Sequence, residues 1–333
     1  MDISKDQKEK IAKDNLLRHG EEPEGTAIKG YDFDKGVDYE GIIKSFSSTG
    51  FQASHLSKAI DIVNQMIKEK AFVYLGYTSN MVSSGLRDIF RWLVKHKKVN
   101  VIVTTAGAIE EDIIKCTGDF ILGDFRASGT ELREKGINRI GNIFASNNRY
   151  VEFESFMQEI LVELYEEQKN TRKIINPSEI VWKLGEKIAD ERSICYWAWK
   201  NKIKVFCPAI GDGAIGDNIW FFKYKNPEFV IDIAEDIKQM NDSVFDPDKT
   251  GAIILGSGII KHQILNANMM RNGLDYAVYI NNSQEFDGSD SGALPEEAVS
   301  WGKIKGKADS IKVFGDATIL FPLLVAETFA KQK

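Results

Sequence analysis

Between residues 71 and 116 the chain twice exchanges a short apolar run for an amphipathic one. Residues 71–77 (AFVYLGY) read as a buried strand and 86–97 as a helix. Residues 99–104 (VNVIVT) read as a second strand, and 109–116 begin another helix. Strand, loop, helix, strand, loop, helix at this spacing dictates a parallel sheet with helices on its faces, since parallel strands need crossover connections. Ligands on such sheets bind at the carboxyl ends of the strands. Two loops fall there, 78–85 (TSNMVSSG) and 104–107 (TTAG). Both are rich in small and hydroxyl residues and lead into helices, where exposed backbone N–H groups suit a pyrophosphate. Neither is a GxGxxG, and loops of this kind also serve as plain turns.

The flanking sequence extends the pattern. Ile42, Ile43 and Phe46, then Leu56, Ile60, Val63, Met66 and Ile67, recur at helical spacing and predict two helices broken at 47–50. Residues 118–150, rich in Gly, Asn and Arg, predict an irregular excursion with short strands. Helices are expected over 152–168, 177–189, 193–200 and 231–240. A strand at 205–208 leads into a glycine-rich loop, AIGDGAIGDN, that holds Asp212 and Asp217. After a surface turn at 245–251 and a strand at 252–255, Gly256–Ser257–Gly258 opens a helix carrying His262 and Asn266 four residues apart. This is half of a dinucleotide fingerprint, with Lys261 where the third glycine should stand. A strand at 276–280, a short one ending at 313–314 and a closing helix at 319–330 complete the chain. Residues 1–29 are charged and interrupted by Gly20, Pro23 and Gly25, which predicts a tail with one short helix. No repeat or linker divides the remainder. The expected class is α/β: a single large Rossmann-like domain over 30–333, with a mostly parallel sheet flanked by helices, plus the charged N-terminal tail over 1–29.

Composition sets limits on function. In 333 residues, 43% hydrophobic and 28% charged, there is material for a large core. The net charge of −6 argues against a general nucleic-acid binder and is compatible with a cationic ligand or a basic protein partner. Three cysteines without a CxxC suggest neither a disulfide framework nor a zinc site, and four scattered histidines suggest no metal. The N-terminus lacks an apolar core, and the longest apolar runs are too short for a bilayer. A reducing, cytoplasmic setting is expected, with no membrane partner.

The chemistry concentrates in residues 289–304 (SDSGALPEEAVSWGKI). Lys303 follows Trp301 and lies just downstream of Asp287, Asp290, Glu296 and Glu297. Ala298, Val299, Trp301 and Ile304 make its neighbourhood apolar. An amine that loses ammonium solvation becomes a nucleophile able to form an imine. The carboxylates suit a polyamine, whose amino groups can each take a charge-assisted hydrogen bond. The same residues also fit a helix end, with Gly302 as terminator and Lys303 snorkelling to water.

The run 285–304, EFDGSDSGALPEEAVSWGKI, resembles the lysine segment of deoxyhypusine synthase, an enzyme that modifies a lysine of the translation initiation factor 5A precursor. The resemblance extends from about Gly30 to Phe329. It implies NAD bound by Ser79, Asn80, Met81, Val82 and Ser83, by Thr105, Ala106 and Gly107, and by Glu111 and Asp212. Ser257, Asn282, Ser283, Asp316 and Ala317 would complete that cofactor set. It implies spermidine held by Glu110, Glu111, Asp217, His262, Asn266, Gly288, Ser289, Asp290, Glu297, Trp301 and Lys303. Lys303 would form the imine, with His262 as the base. Ala108, Ser257 and the Asn282–Ser283 pair depart from the family pattern at small or polar positions. Lys70 runs straight into Ala71 without the insertion of animal members, as in compact archaeal ones. The family also implies homotetramers with active sites between paired subunits, and an N-terminal segment that can cross a neighbour's entrance. Homospermidine synthase, which passes the same fragment to putrescine, shares the active-site pattern. An inactive NAD-binding module is the alternative from a different class.

Overall fold

Six strands form the central sheet of the computed structural model, which describes residues 3–331. They are β1 (Phe72–Tyr77), β2 (Val101–Thr104), β3 (Lys204–Phe206), β4 (Thr250–Leu255), β5 (Leu274–Asn281) and β6 (Ile304–Phe314). Their order is β3-β2-β1-β4-β5-β6, and every neighbouring pair is parallel. The chain winds outward from β1 in one direction through β3, then returns to β4 and winds in the other. The switch point therefore lies between the carboxyl ends of β1 and β4, where open α/β sheets bind their ligands.

Side chains alternate across the strands, and each face buries its own core. Val73, Leu75 and Tyr77 of β1 join Ile102, Ile253, Leu255, Val278 and Ile280 on one face. Tyr74 joins Val101, Val103, Ala252, Ile254, Ala277 and Tyr279 on the other. Burial on both faces explains why the strands read as continuous apolar runs. The first face is covered by helices that include Phe51–Lys68, Leu86–Lys95, Ala106–Thr117 and Ala317–Glu327. The second is covered by Ile259–Met269 and by residues of Ile233–Asp242 and Pro295–Ser300. At the centre of the first face Phe90 stacks on Tyr77 at 4.1 Å and tilts against Phe321 at 5.6 Å.

Several boundaries differ from expectation, each for a physical reason. Residues 118–150 are more regular than their composition suggests. They hold a helix, Gly129–Glu134, and a three-stranded antiparallel sheet built from Ile121–Leu122, Ile143–Ser146 and Ile137–Ile140. The expected short strand at 313–314 is an edge strand of eleven residues. Its register slips between Leu274 and Tyr276, so that 305–308 bulge out with Lys305 and Lys307, and the charge pattern hides the strand. In the N-terminal segment Ser4 and Gln7 form a capping box for Lys5–Leu16, a helix with no buried residue.

Phe90→Ala removes the ring that joins β1 to the closing helix. It is expected to cost about 3–5 kcal/mol, read as a lower denaturant midpoint with an unchanged slope.

Candidate active site

The strand register brings the expected cofactor residues other than Glu111 and Asp212 to one rim. Tyr77 pairs with both Thr104 and Leu255, Leu255 with Ile280, and Ile280 with Val313. Ser79–Ser83, Thr105–Gly107, Ser257, Asn282–Ser283 and Asp316–Ala317 therefore follow strand ends that lie side by side. At the switch point the backbones come close. Gly256 has φ +77°, and a Cβ there would meet Thr78 Oγ1 at 2.8 Å. The first loop is not a loop throughout, because Ser79–Ser83 is a short helix. Lys115 explains it: its Nζ donates to the carbonyls of Val82, Ser83 and Ser84 at 2.9, 3.1 and 3.0 Å, satisfying that helix's last acceptors. The second helix starts at Ala106, three residues earlier than expected. The Ser79 N–H donates to Thr105 Oγ1 at 3.1 Å and ties the two segments together.

An acidic group lies beside β2. Glu110 and Glu111 are both buried in the first turns of Ala106–Thr117. Glu110 Oε2 accepts from the Ile215 N–H at 2.9 Å. It thus supplies the charge at the start of Gly213–Lys225, whose N-cap Asp212 makes no side-chain cap bond. This helix corrects the reading of 209–218 as a loop: Asp217 stands on the helix, because Ile215, Asn218 and Phe222 already face inward. Burial raises the Glu110 carboxyl, and the charges of Asp212 and Asp217 add to the effect. Burial raises Glu111 to about 7, against the hydrogen bond from Ser83 Oγ and with help from Glu110. A cleft of about 480 Å³ opens beside these acids, lined by Tyr150, Glu154, Asp217 and Phe221 among others.

The lysine group lies on the other face of the sheet. Lys303 joins the helix Pro295–Ser300 to β6, and its backbone is fixed on both sides. Its N–H donates to the Ala298 carbonyl at 2.9 Å, and its carbonyl accepts from Leu274 at 3.0 Å. Gly302, at φ +72°, does end the helix. Lys303 nevertheless does not snorkel: the residue is 9% exposed, and Nζ lies 3.5 Å from His262 Nε2. Nζ also sits 5.5 Å from the ring centre of Trp301, a residue that is 64% exposed in this chain. Asn266 stands one turn from His262, half-buried. Asp290 Oδ2 is buried without a hydrogen-bond partner, as is the Tyr279 hydroxyl, which burial and the Asp290 charge push upward. Gly288, Ser289 and Glu297 are exposed nearby in sequence. Asp287, also exposed, accepts from the Ser289 N–H instead of facing the amine. Among the described residues no hydrogen bond or ion pair links the acidic group to the lysine group.

The sequence reading missed three side chains that shape this region: Lys115, Lys261 and Lys312. Lys261 is 1% exposed, and burial holds its ammonium below the ordinary lysine value while Asp290 works the other way. Its signal was present, since the buried stripe Lys261, Leu265 and Asn268 follows helical spacing.

Fold and site define a class: a doubly wound α/β protein with a buried lysine beside a histidine on one flank and a buried carboxylate pair on the other. The deoxyhypusine synthase family profile matches residues 41–328. A deoxyhypusine synthase of Senecio vernalis is 50% identical over 96% of this chain and 93% of its own length. A probable deoxyhypusine synthase of Methanocaldococcus jannaschii is 51% identical over 93% of this chain and 98% of its own. The crystal structure of an Entamoeba histolytica protein described as a candidate deoxyhypusine synthase has a TM-score of 0.69 at 36% identity, covering 92% of this chain and 98% of that one. The structure of AgrE with ornithine and NAD+ has a TM-score of 0.51 at 10% identity, a likeness of fold alone. The chain belongs to the deoxyhypusine synthase family of transferases.

The raised Glu111 carboxyl carries a pH consequence. The folded chain holds a proton on it that the unfolded chain has lost above the ordinary value of 4.5, so stability falls as pH rises from 4.5 to about 7. Glu111→Gln removes this dependence. Its stability relative to the parent is expected to be roughly 2–3 kcal/mol more favourable at about pH 8 than at about pH 5, measured by denaturant unfolding at both.

Proposed function

We propose that this chain transfers the 4-aminobutyl group of spermidine, carried as an imine on Lys303, to a lysine of the translation initiation factor 5A precursor, and releases 1,3-diaminopropane. The observation that carries the reading is the Lys303 amine, buried 3.5 Å from His262 Nε2. A buried lysine amine is the group that imine chemistry requires. His262 Nε2 is within reach to take and return its proton. The buried, unpartnered Asp290 oxygen is an acceptor for one substrate ammonium group, and Glu297 and Asp217 would serve others.

Features of the carboxyl rim support NAD as the cofactor. Thr105, the N-cap of Ala106–Thr117, makes no side-chain cap bond, and Gly258, the N-cap of Ile259–Met269, has no side chain to make one; the Ala108 N–H is taken by the Thr105 carbonyl, which leaves the Ala106 and Gly107 amides of that turn for phosphate oxygens. Ser79–Ser83, Thr105–Gly107, Glu111, Asp212, Ser257, Asn282–Ser283 and Asp316–Ala317 would hold it. When bound, NAD supplies the hydride acceptor for the secondary amine's carbon and the donor for the final reduction. The chain's own work is to fix the amine, move its proton and exclude water, which would otherwise hydrolyse the imine. Trp301 would lie along the methylenes, and its exposed indole calls for a covering surface.

The acidic and lysine groups lie on opposite faces of one sheet, which supports a site completed by a second copy. We therefore read the protein as a homotetramer with active sites between paired subunits, working in the cytoplasm. The described residues contain no helix long and apolar enough to cross a membrane. In domain terms we read 30–333 as one catalytic unit and 1–29 as an appended tail.

Labelled spermidine, NAD and either the factor precursor or putrescine test the acceptor: label is expected in the protein, and label in homospermidine alone would overturn the choice. Borohydride trapping should give a spermidine-derived adduct that Lys303→Ala abolishes, with NAD affinity retained. Asp217→Ala is expected to raise the spermidine KM well above any change in that for NAD.

A further inference from the structure

The segment between β5 and the helix Pro295–Ser300 carries Asp290, yet its only regular element is the three-residue turn Glu285–Asp287. It doubles back on itself so tightly that a Cβ at Gly292 would lie 1.6 Å from the Gln284 carbonyl oxygen. Two buried lysines hold it from beneath. Lys312 Nζ donates to the carbonyls of Ser283 at 2.5 Å and Gly292 at 2.7 Å. Lys261 Nζ donates to the carbonyls of Asp290 at 2.5 Å and Ala293 at 3.0 Å, with the Tyr279 ring centre 4.9 Å away.

We infer that Lys261 is a positioning residue: its buried ammonium holds the backbone of Asp290, so that the carboxylate presents its unpartnered oxygen to the substrate. This rests on the reading of Asp290 as a spermidine contact. The argument is geometric. Lys261 lies on the inward face of the helix whose next residue, His262, meets Lys303. One helical turn thus fixes both the histidine and the carboxylate loop. A lysine is suited to this task because one ammonium can donate to two carbonyls from different turns, in a place where water does not compete. An apolar side chain of similar length would fill the space and leave both carbonyls unpaired.

A double-mutant cycle tests it, with the full-length protein and spermidine as the varied substrate. Lys261→Met is expected to raise the spermidine KM about tenfold or more, with NAD affinity and the rate at saturating spermidine little changed. Asp290→Ala should raise the same KM, and the double variant should be no worse than the worse single one, since the two act as a unit. A general loss of structure would instead lower NAD affinity and saturated rate together, and would overturn the inference. So would effects that multiply, or an unchanged KM in Lys261→Met beside a raised one in Asp290→Ala; either leaves the substrate reading intact. An unchanged KM in Asp290→Ala removes Asp290 from the spermidine site and takes the inference with it. Should Lys261→Met not fold, Lys261→Gln keeps an uncharged amide donor group of shorter reach and enters the same cycle.

Discussion

A parallel sheet buried on both faces leaves a ligand few places to go. The strands here are apolar on both sides, and helices cover each side. What remains is the rims of the sheet and the flanks where the covering helices meet it. The candidate residues divide between these two places. The small-residue turns after β1, β2, β4, β5 and β6 share the rim because the parallel register aligns their strand ends. Lys303 and His262 meet on the second flank, and Glu110 and Glu111 sit on the first.

Such turns have a cost of their own. They leave carbonyl groups close to a dry core, and each buried acceptor needs a donor. Three lysines answer that need. Lys115 serves Val82, Ser83 and Ser84, Lys261 serves Asp290 and Ala293, and Lys312 serves Ser283 and Gly292. Their ammonium groups lie below the ordinary lysine value because burial disfavours their charge. The hydrogen bonds to carbonyl dipoles offset part of that cost.

The repeating strand–helix pattern over 71–116 was enough to read the parallel sheet, because burial on both faces writes uninterrupted apolar runs. Lys303 stood out because an indole, carboxylates and a glycine crowd around it, and the family resemblance favoured the chemical reading over the helix-end one. Other features were hidden for identifiable reasons. The β6 strand was masked by charges in its bulge. The helix Gly213–Lys225 was masked by glycines and by a cap borrowed from Glu110, a residue about a hundred positions away. Lys261 occupies a glycine position of the dinucleotide motif, and a motif template asks what is missing and not what the residue present could bond. The separation of the two functional groups onto opposite faces depends on handedness and packing, which no local pattern reveals.

The double anchoring of the Lys303 backbone, to Ala298 on one side and Leu274 on the other, limits how far its amine can travel. The root of the side chain is pinned at the amino edge of the sheet, so only its four methylenes can sweep. An amine anchored in this way is no long swinging arm. Under the proposed transfer, donor and acceptor would each have to thread a slender chain down to a stationary post, and selectivity would fall on the shape of the entrance.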